Sequence, residues 1–300
     1  MIHVPVLQKQ VIQYLDPKPN ENFIDATIGS GGHSLGILRI TKPDGKILGI
    51  DVDPEQIKNT EQTITDIKDR KRLILENDSY TNLKNIIKKH NFKPIHGILF
   101  DLGMSSWHLE GSGRGFSFQK DEPLNMRYDG EDKGVLTAEY IVNRWREKEI
   151  KEILKKYGDE RFSGKIAREI VKSRKNKKIK TTFELIEIIK ESIPSWYHKK
   201  RIHFATRTFQ ALRIAVNDEF KNIAEGLEQA VESLDEGGRI VIISFHSSED
   251  RIVKLFLREK EKQGLIKIET KKPIIPCLAE IKTNKRSRSA KLRAATLLKQ

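Results

Sequence analysis

Phe23-Ile24-Asp25-Ala26-Thr27-Ile28-Gly29-Ser30-Gly31-Gly32-His33-Ser34 is an apolar run that ends in an acid and passes straight into a glycine loop. That is the pattern of a buried strand turning into the start of a helix. Glycine serves in such a loop because a Cβ would block close approach of the backbone to a ligand, and the helix start offers unpaired N–H groups to an anionic end of it. A second apolar run, residues 46–50, stops at Asp51-Val52-Asp53-Pro54. This acid falls about twenty residues after the glycines, where a carboxylate reaches ribose hydroxyls. A glycine cluster alone would be read as a tight turn; with the downstream acid it reads as a nucleoside site.

The dinucleotide fingerprint G-x-G-x-x-G requires glycine where this chain has Ser34, which speaks against a nicotinamide cofactor. An acid at the end of the first strand, as Asp25 is, resembles instead the first motif of class I S-adenosylmethionine methyltransferases. In those enzymes the loop meets the methionine part and the second acid holds the ribose.

The composition is compatible with this class. The 300 residues are 37% hydrophobic, enough to fill a core, and Lys+Arg 56 against Asp+Glu 42 leaves a net charge of +14. A polyanion is the partner class that such a surplus favours, although a lysine-rich solvated surface gives part of it without any partner. The single cysteine, Cys277, excludes an intramolecular disulfide and a multi-cysteine zinc site, so no metal is expected. A reducing, cytoplasmic compartment is expected from the same count. No apolar run approaches the length of a membrane span, and the first residues lack a signal-peptide pattern.

Strands are expected near residues 22–25, 46–50, 72–76 and 97–101, with helices between them: a doubly wound α/β pattern. The rhythm breaks after Asp101-Leu102-Gly103-Met104-Ser105-Ser106, and residues 111 to about Arg201 contain no convincing strand. Helix signals fill that stretch. Ile150, Ile153, Leu154 and Tyr157 recur at helical spacing before Gly158, and Thr181 with Glu184 forms a capping box ahead of Leu185, Ile186 and Ile189. Between them the cations Lys172, Arg174, Lys175, Lys177, Lys178 and Lys180 read as a solvated loop able to touch phosphate. The α/β rhythm resumes with helices and the strand 239–244. The expected organisation is therefore a discontinuous domain, 1–105 and 204–300, interrupted by an all-helical insert at 106–203. The tail from Asn284, with Lys285, Arg286, Arg288, Lys291 and Arg293, shows no packing periodicity and reads as an extended basic arm.

In an open parallel sheet, ligands sit beyond the carboxyl ends of the strands. The residues to weigh are therefore 25–34, 51–53, 101–108 and Ser244-Phe245-His246-Ser247-Ser248-Glu249-Asp250-Arg251. Tyr80, after the third strand, is placed to lie against an adenine ring or simply to pack. The hydroxyls and imidazole of the last set raise a Ser/His/Asp hydrolase as an alternative, but the G-x-S-x-G elbow is missing.

Taken in order, His3 to Leu7, the Gly29–Ser34 loop, Asp51-Val52-Asp53-Pro54, Asp101 to Ser106, Arg114-Gly115-Phe116-Ser117-Phe118, Pro123 to Arg127, Tyr157 to Phe162, Ala205 to Ile214, Ile243 to Ser247, Glu249 to Lys254 and Arg286 to Arg293 resemble the bacterial small-subunit (16S) ribosomal RNA (cytosine-N4)-methyltransferase family. The resemblance spans nearly the whole length. It implies a class I methyltransferase fold (Rossmann-like, mostly parallel) with a helical substrate-recognition insert, S-adenosylmethionine as methyl donor, and N4-methylcytidine in the decoding region as product. Its partner would be small-subunit ribosomal RNA or the assembled subunit. Carried over by position, cofactor contacts fall on Gly31, Gly32, His33, Asp51, Tyr80, Asp101 and His108. Relatives usually show Pro-Gln where this chain has Trp107-His108, and an imidazole cannot reproduce both ends of an amide. Tyr80 replaces the more usual Phe, and Lys285 stands where relatives have proline.

For chemistry on a cytosine amine, Asp101 and the carbonyls immediately after it are placed to accept an N4 hydrogen, and His246 is a candidate proton acceptor or a residue that fixes its loop. Trp107, Phe116, Phe118 and Phe245 are candidates for the slot that holds the base. A catalytically dead ribosome-assembly factor would keep the basic regions but lose the glycine loop or Asp101, and both are present.

Overall fold

Runs such as Ile47-Leu48-Gly49-Ile50 and Ile98-Leu99-Phe100 are apolar without alternation because the strands they form are covered on both faces. A computed structural model describes residues 5–64, 66–130, 136–198 and 202–299; His3 of the first motif and Arg201, near the expected edge of the insert, lie outside them. The chain divides into two compact units, Met1–Gly103 with Phe220–Gln300, and Met104–Glu219.

The first unit is built on a seven-stranded sheet of β1 (Phe23–Asp25), β2 (Ile47–Asp51), β3 (Leu73–Asn77), β4 (Gly97–Asp101), β5 (Arg239–Ser244), β6 (Ile266–Ile268) and β7 (Lys291–Leu297), in the order β3-β2-β1-β4-β5-β7-β6. The first five strands pair in parallel, and β7 runs antiparallel to both β5 and β6. This is the α/β, mostly parallel sheet expected of a class I methyltransferase. Its strand order reverses between β1 and β4, which makes their carboxyl ends the crevice for a ligand. Alternation decides the two cores: Ile98, Phe100, Ile240 and Ile242 pack with Leu83, Ile86 and Leu227 on one side, while Leu99, Val241 and Ile243 pack with Val11, Leu15 and Ile37 on the other. Each such fully buried side chain contributes about 1.5–3 kcal/mol.

The tail is not a free arm. Leu292 and Ala294 face one core and Ala295 the other, so β7 is an inner strand. Arg293 is buried and its guanidinium grips Asp250, Nε to Oδ1 at 2.7 Å and Nη2 to Oδ2 at 3.2 Å. Small residues and one paired arginine carry no recognisable strand period, which is why the sequence pattern misleads here.

The second unit is helical around its own core, with Ala138–Arg144, Glu147–Gly158, Ser163–Asn176, Thr182–Ser192 and Thr206–Asn217 contributing Ile141, Ile150, Leu154, Ile166, Ile170, Leu185 and Leu212. Thr181 caps Thr182–Ser192 in a capping box with Glu184. Helix Thr206–Asn217 belongs to this unit because Phe209, Ala211, Leu212 and Val216 lie in the helical core. The boundary therefore falls after Glu219 rather than at 203, and before Met104 rather than at 106. The basic run forms the last turn of helix Ser163–Asn176 and the segment leading to the Thr181 cap. Three of its cations are engaged locally: Lys172 with Glu169, Lys177 with Glu184, and Arg174 with the Val142 carbonyl.

Candidate active site

β1 ends at Asp25, which is buried, and the chain then climbs into the loop by hooking onto its neighbours. Ala26 donates to the Leu99 carbonyl and Ile28 to the Ile50 carbonyl, each at 2.9 Å. Gly29 at φ +53° and Gly31 at φ +78° take left-handed conformations that an L side chain rarely adopts. Gly31 is the N-cap of helix Gly32–Ile40 and brings no side chain onto the first-turn N–H groups. That helix start is the anion-receptive end of the crevice.

Ser34, where a dinucleotide loop would have glycine, donates its hydroxyl to Asp25 Oδ2 at 2.7 Å inside the protein. Burial pushes the Asp25 carboxyl up to about 6 in spite of this bond and the Thr27 N–H, both of which favour the ionised form. Asp25 is thereby an organiser of the loop.

The acid pair after β2 divides its work. Asp53 is fully buried and caps helix Pro54–Thr63 by accepting the Glu55 N–H, whereas Asp51 is only half-buried. Asp51 accepts the Gly29 N–H on Oδ2 at 2.9 Å and the Asp53 N–H on Oδ1 at 3.0 Å. One carboxylate thus ties the glycine loop to the end of β2. Thr60 closes the far side by donating to the Gly29 carbonyl. Tyr80 opens the short turn after β3, with its ring edge-on to Phe100 at 5.5 Å. Gly226 makes room for it: a Cβ there would stand 2.5 Å from the Tyr80 ring.

At the end of β4 the N–H of Asp101 donates to Thr27 Oγ1 at 2.7 Å, and Asp101 Oδ2 lies 3.8 Å from His33 Nε2. Oδ1 is shut off from solvent. Burial, followed by the charges of Asp25 and Glu249, pushes the Asp101 carboxyl up to about 8. Glu249 is fully buried; its Oε2 accepts the N–H groups of Phe245 at 2.8 Å and His246 at 3.2 Å. His246 caps helix Ser247–Lys262, with Nδ1 accepting the Glu249 N–H and Nε2 3.1 Å from Glu249 Oε1. A nitrogen that accepts an N–H carries no proton, so the hydrogen of a neutral ring sits on Nε2, facing the carboxylate. Nδ1 is engaged in capping the helix, while Nε2 is buried without a hydrogen bond among the described residues.

The sheet thus brings Gly31, Gly32, His33, Asp51, Tyr80 and Asp101 to the carboxyl ends of neighbouring strands. His108 belongs to the helical unit, where its Nδ1 accepts the Ser105 N–H at 3.0 Å and its ring packs on Phe116 and Tyr128. Phe116 is buried in the helical core and Phe118 stacks on His203 at 4.5 Å. Thr60 escaped sequence reasoning; Thr27, Ser34 and Glu249 lay within the stretches it singled out, but their partners did not show in the sequence. Only Glu249, three residues after a possible N-cap, carried a readable signal.

The family model described as the MraW methylase family matches residues 1–298. The chain belongs to this family. MraW methylases are S-adenosylmethionine-dependent methyltransferases, and this chain is one. It is 47% identical over 293 residues to a protein of Dictyoglomus thermophilum named ribosomal RNA small subunit methyltransferase H, covering 97% of this chain and 95% of that one. Proteins of the same name from Halothermothrix orenii and Persephonella marina are each 44% identical, over 98% of this chain and 97% and 98% of theirs. Among the described residues no helix is long and apolar enough to cross a membrane.

Proposed function

We propose that this chain methylates the exocyclic N4 amine of a cytosine in the decoding region of small-subunit ribosomal RNA, acting in the cytoplasm on the RNA or the assembled subunit. The supporting observation is the meeting of a half-shielded acid, Asp101, with His33 of the glycine loop at the switch point of the sheet. The RNA class rests on the names of the relatives, and the N4 position on the ordered motifs that run from the glycine loop to Arg293.

The crevice suits S-adenosylmethionine by its own chemistry. An uncapped helix start would meet an anionic end, and a half-buried carboxylate already held by two N–H groups would take up hydroxyls. Gly31, Gly32 and His33 would hold the methionine part, Asp51 the ribose and Tyr80 the adenine, with Asp101 beside the reacting end. The bound cofactor supplies a methyl group on a positively charged sulfur.

A cytosine amine is a weak nucleophile because its lone pair is delocalised into the ring, so positioning and electrostatics carry the acceleration. Asp101 accepts a hydrogen of N4 and strengthens that bond as positive charge grows on the amine. Gly103, at φ +86°, turns the backbone beside it, and Glu249 with His246 fixes the neighbouring loop, leaving His246 a positioning role. The test is to incubate small subunits lacking the modification with the protein and labelled S-adenosylmethionine, then analyse the digested nucleosides by mass spectrometry. A label on a ring carbon or a ribose hydroxyl sinks the assignment.

A further inference from the structure

The helical unit presents a half-exposed indole, Trp196, on a short helix. Helix Ser195–His198 is anchored by Tyr197, which is buried and whose hydroxyl donates to the Glu160 carboxylate at 3.3 Å and 3.4 Å. Glu160 is itself buried and also accepts the Phe162 N–H at 2.8 Å. With Tyr197 turned inward, Trp196 is left 49% exposed. A single exposed apolar residue on a surface needs no explanation. The surroundings of this one do.

The Arg161 guanidinium lies 5.6 Å from the Trp196 ring centre and 5.8 Å from that of Phe162. The Lys165 ammonium lies 5.8 Å from the Phe162 ring, and Phe162 meets Trp196 edge-on at 5.9 Å. Both cations are exposed, and neither forms an ion pair among the described residues. Exposed cation–π contacts of this kind contribute only about 0.5–1 kcal/mol to a fold. A flat aromatic face flanked by cations has the two components that a single-stranded nucleic acid requires, a stacking surface for a base and charges for its phosphates.

We propose that Trp196, Phe162, Arg161 and Lys165 form a stacking platform for an unpaired nucleotide of the RNA substrate, at a place other than the methylated base. The base lies on the indole, and the flanking phosphates meet Arg161 and Lys165. The inference rests on the ribosomal RNA reading and adds the residues of one RNA contact. Charge complementarity favours RNA over a protein partner.

The test uses the full chain and a fluorescein-labelled single-stranded oligoribonucleotide of about twelve nucleotides, within the length range of such sites. A duplex of the same sequence is the comparison. Trp196→Ala should weaken single-strand binding roughly tenfold, the equivalent of one lost stacking contact, while Trp196→Phe retains most of it. The double variant Arg161→Ala, Lys165→Ala should weaken binding and flatten its salt dependence, and it keeps the test decisive if the alanine variant at 196 does not fold. Quenching of tryptophan fluorescence by the oligonucleotide should be reduced in Trp196→Phe, which leaves only Trp107 and Trp145 to report.

Wild-type affinity in all these folded variants overturns the platform, as does an equal loss on the duplex. A defect confined to subunit particles, absent with the oligonucleotide, assigns the indole to a protein and overturns it too. Wild-type protein that fails to methylate small subunits defeats the proposed methylation itself. Wild-type protein that methylates them, with Trp196→Ala binding RNA unchanged, defeats the platform alone.

Discussion

Asp101 Oδ2 stands 3.8 Å from His33 Nε2, so the end of β4 and the first turn after the glycine loop meet at one polar point. Two acids near that point, Asp25 and Asp101, are raised to about 6 and about 8. Their protons make the site pH-sensitive in a definite direction.

Unfolded, both groups titrate near 3.8, so the fold favours their neutral forms. The stability this contributes is fully present below about pH 4 and is lost as pH rises through about 6 and then about 8. A sulfonium cation favours the ionised forms instead, so S-adenosylmethionine binding should release protons and tighten from about pH 6 to about pH 8. Calorimetry near neutral pH in buffers of different ionisation enthalpy reads this directly; a heat independent of buffer would rule it out.

Asp101→Asn removes the charge that the amine calls for in the transition state while keeping the shape of the side chain. Single-turnover methylation should fall on the order of a hundredfold, with cofactor affinity changing much less. The same variant should raise the melting temperature of the ligand-free protein more at about pH 8 than at about pH 5, because a buried carboxylate is no longer forced to ionise. Equal losses of rate and affinity would make Asp101 a cofactor ligand with no part in the transfer.

Asp51→Ala should weaken S-adenosylmethionine by roughly 1.5–3 kcal/mol, the range for hydrogen bonds to a charged group. It also releases the Gly29 and Asp53 N–H groups, so a modest fall in stability accompanies the loss. Unchanged calorimetric affinity in a folded variant would remove Asp51 from the site.

Arg293 and Arg288 carry the same charge but should behave differently. Arg293→Ala breaks a buried ion pair with Asp250 and should cost about 3–5 kcal/mol of stability in urea titrations, with RNA affinity intact where the protein remains folded. Arg288→Ala, at an exposed position of the turn Lys285–Ser289, should leave stability nearly unchanged and lower the salt slope of RNA binding by about 0.7. The opposite outcome would return β7 to the role of an RNA-binding arm.

Gly226→Ala places a methyl 2.5 Å from the Tyr80 ring. The gain in helix propensity, about 1 kcal/mol, is smaller than the roughly 1–3 kcal/mol of overpacking. The variant should therefore be less stable and should bind the cofactor more weakly as the ring shifts. A stabilised variant with normal affinity would show that Tyr80 moves aside without consequence.

The sequence by itself determined the parallel half of the sheet, because strands buried on both faces write themselves as unbroken apolar runs ending at Asp25, Asp51 and Asp101, and glycines mark the loop between them. It also determined the capping box at Thr181 and Glu184, a signal contained within four residues. Only the tertiary structure decided that Asp53 is a helix cap while Asp51 ties the glycine loop to the end of β2, that Ser34 satisfies Asp25, and that Arg293 is an internal ion-pair partner. Each of these depends on which groups are brought together from distant parts of the chain. A charge has the same letter whether it is solvated or buried, and its chemistry is set by the neighbours that folding supplies.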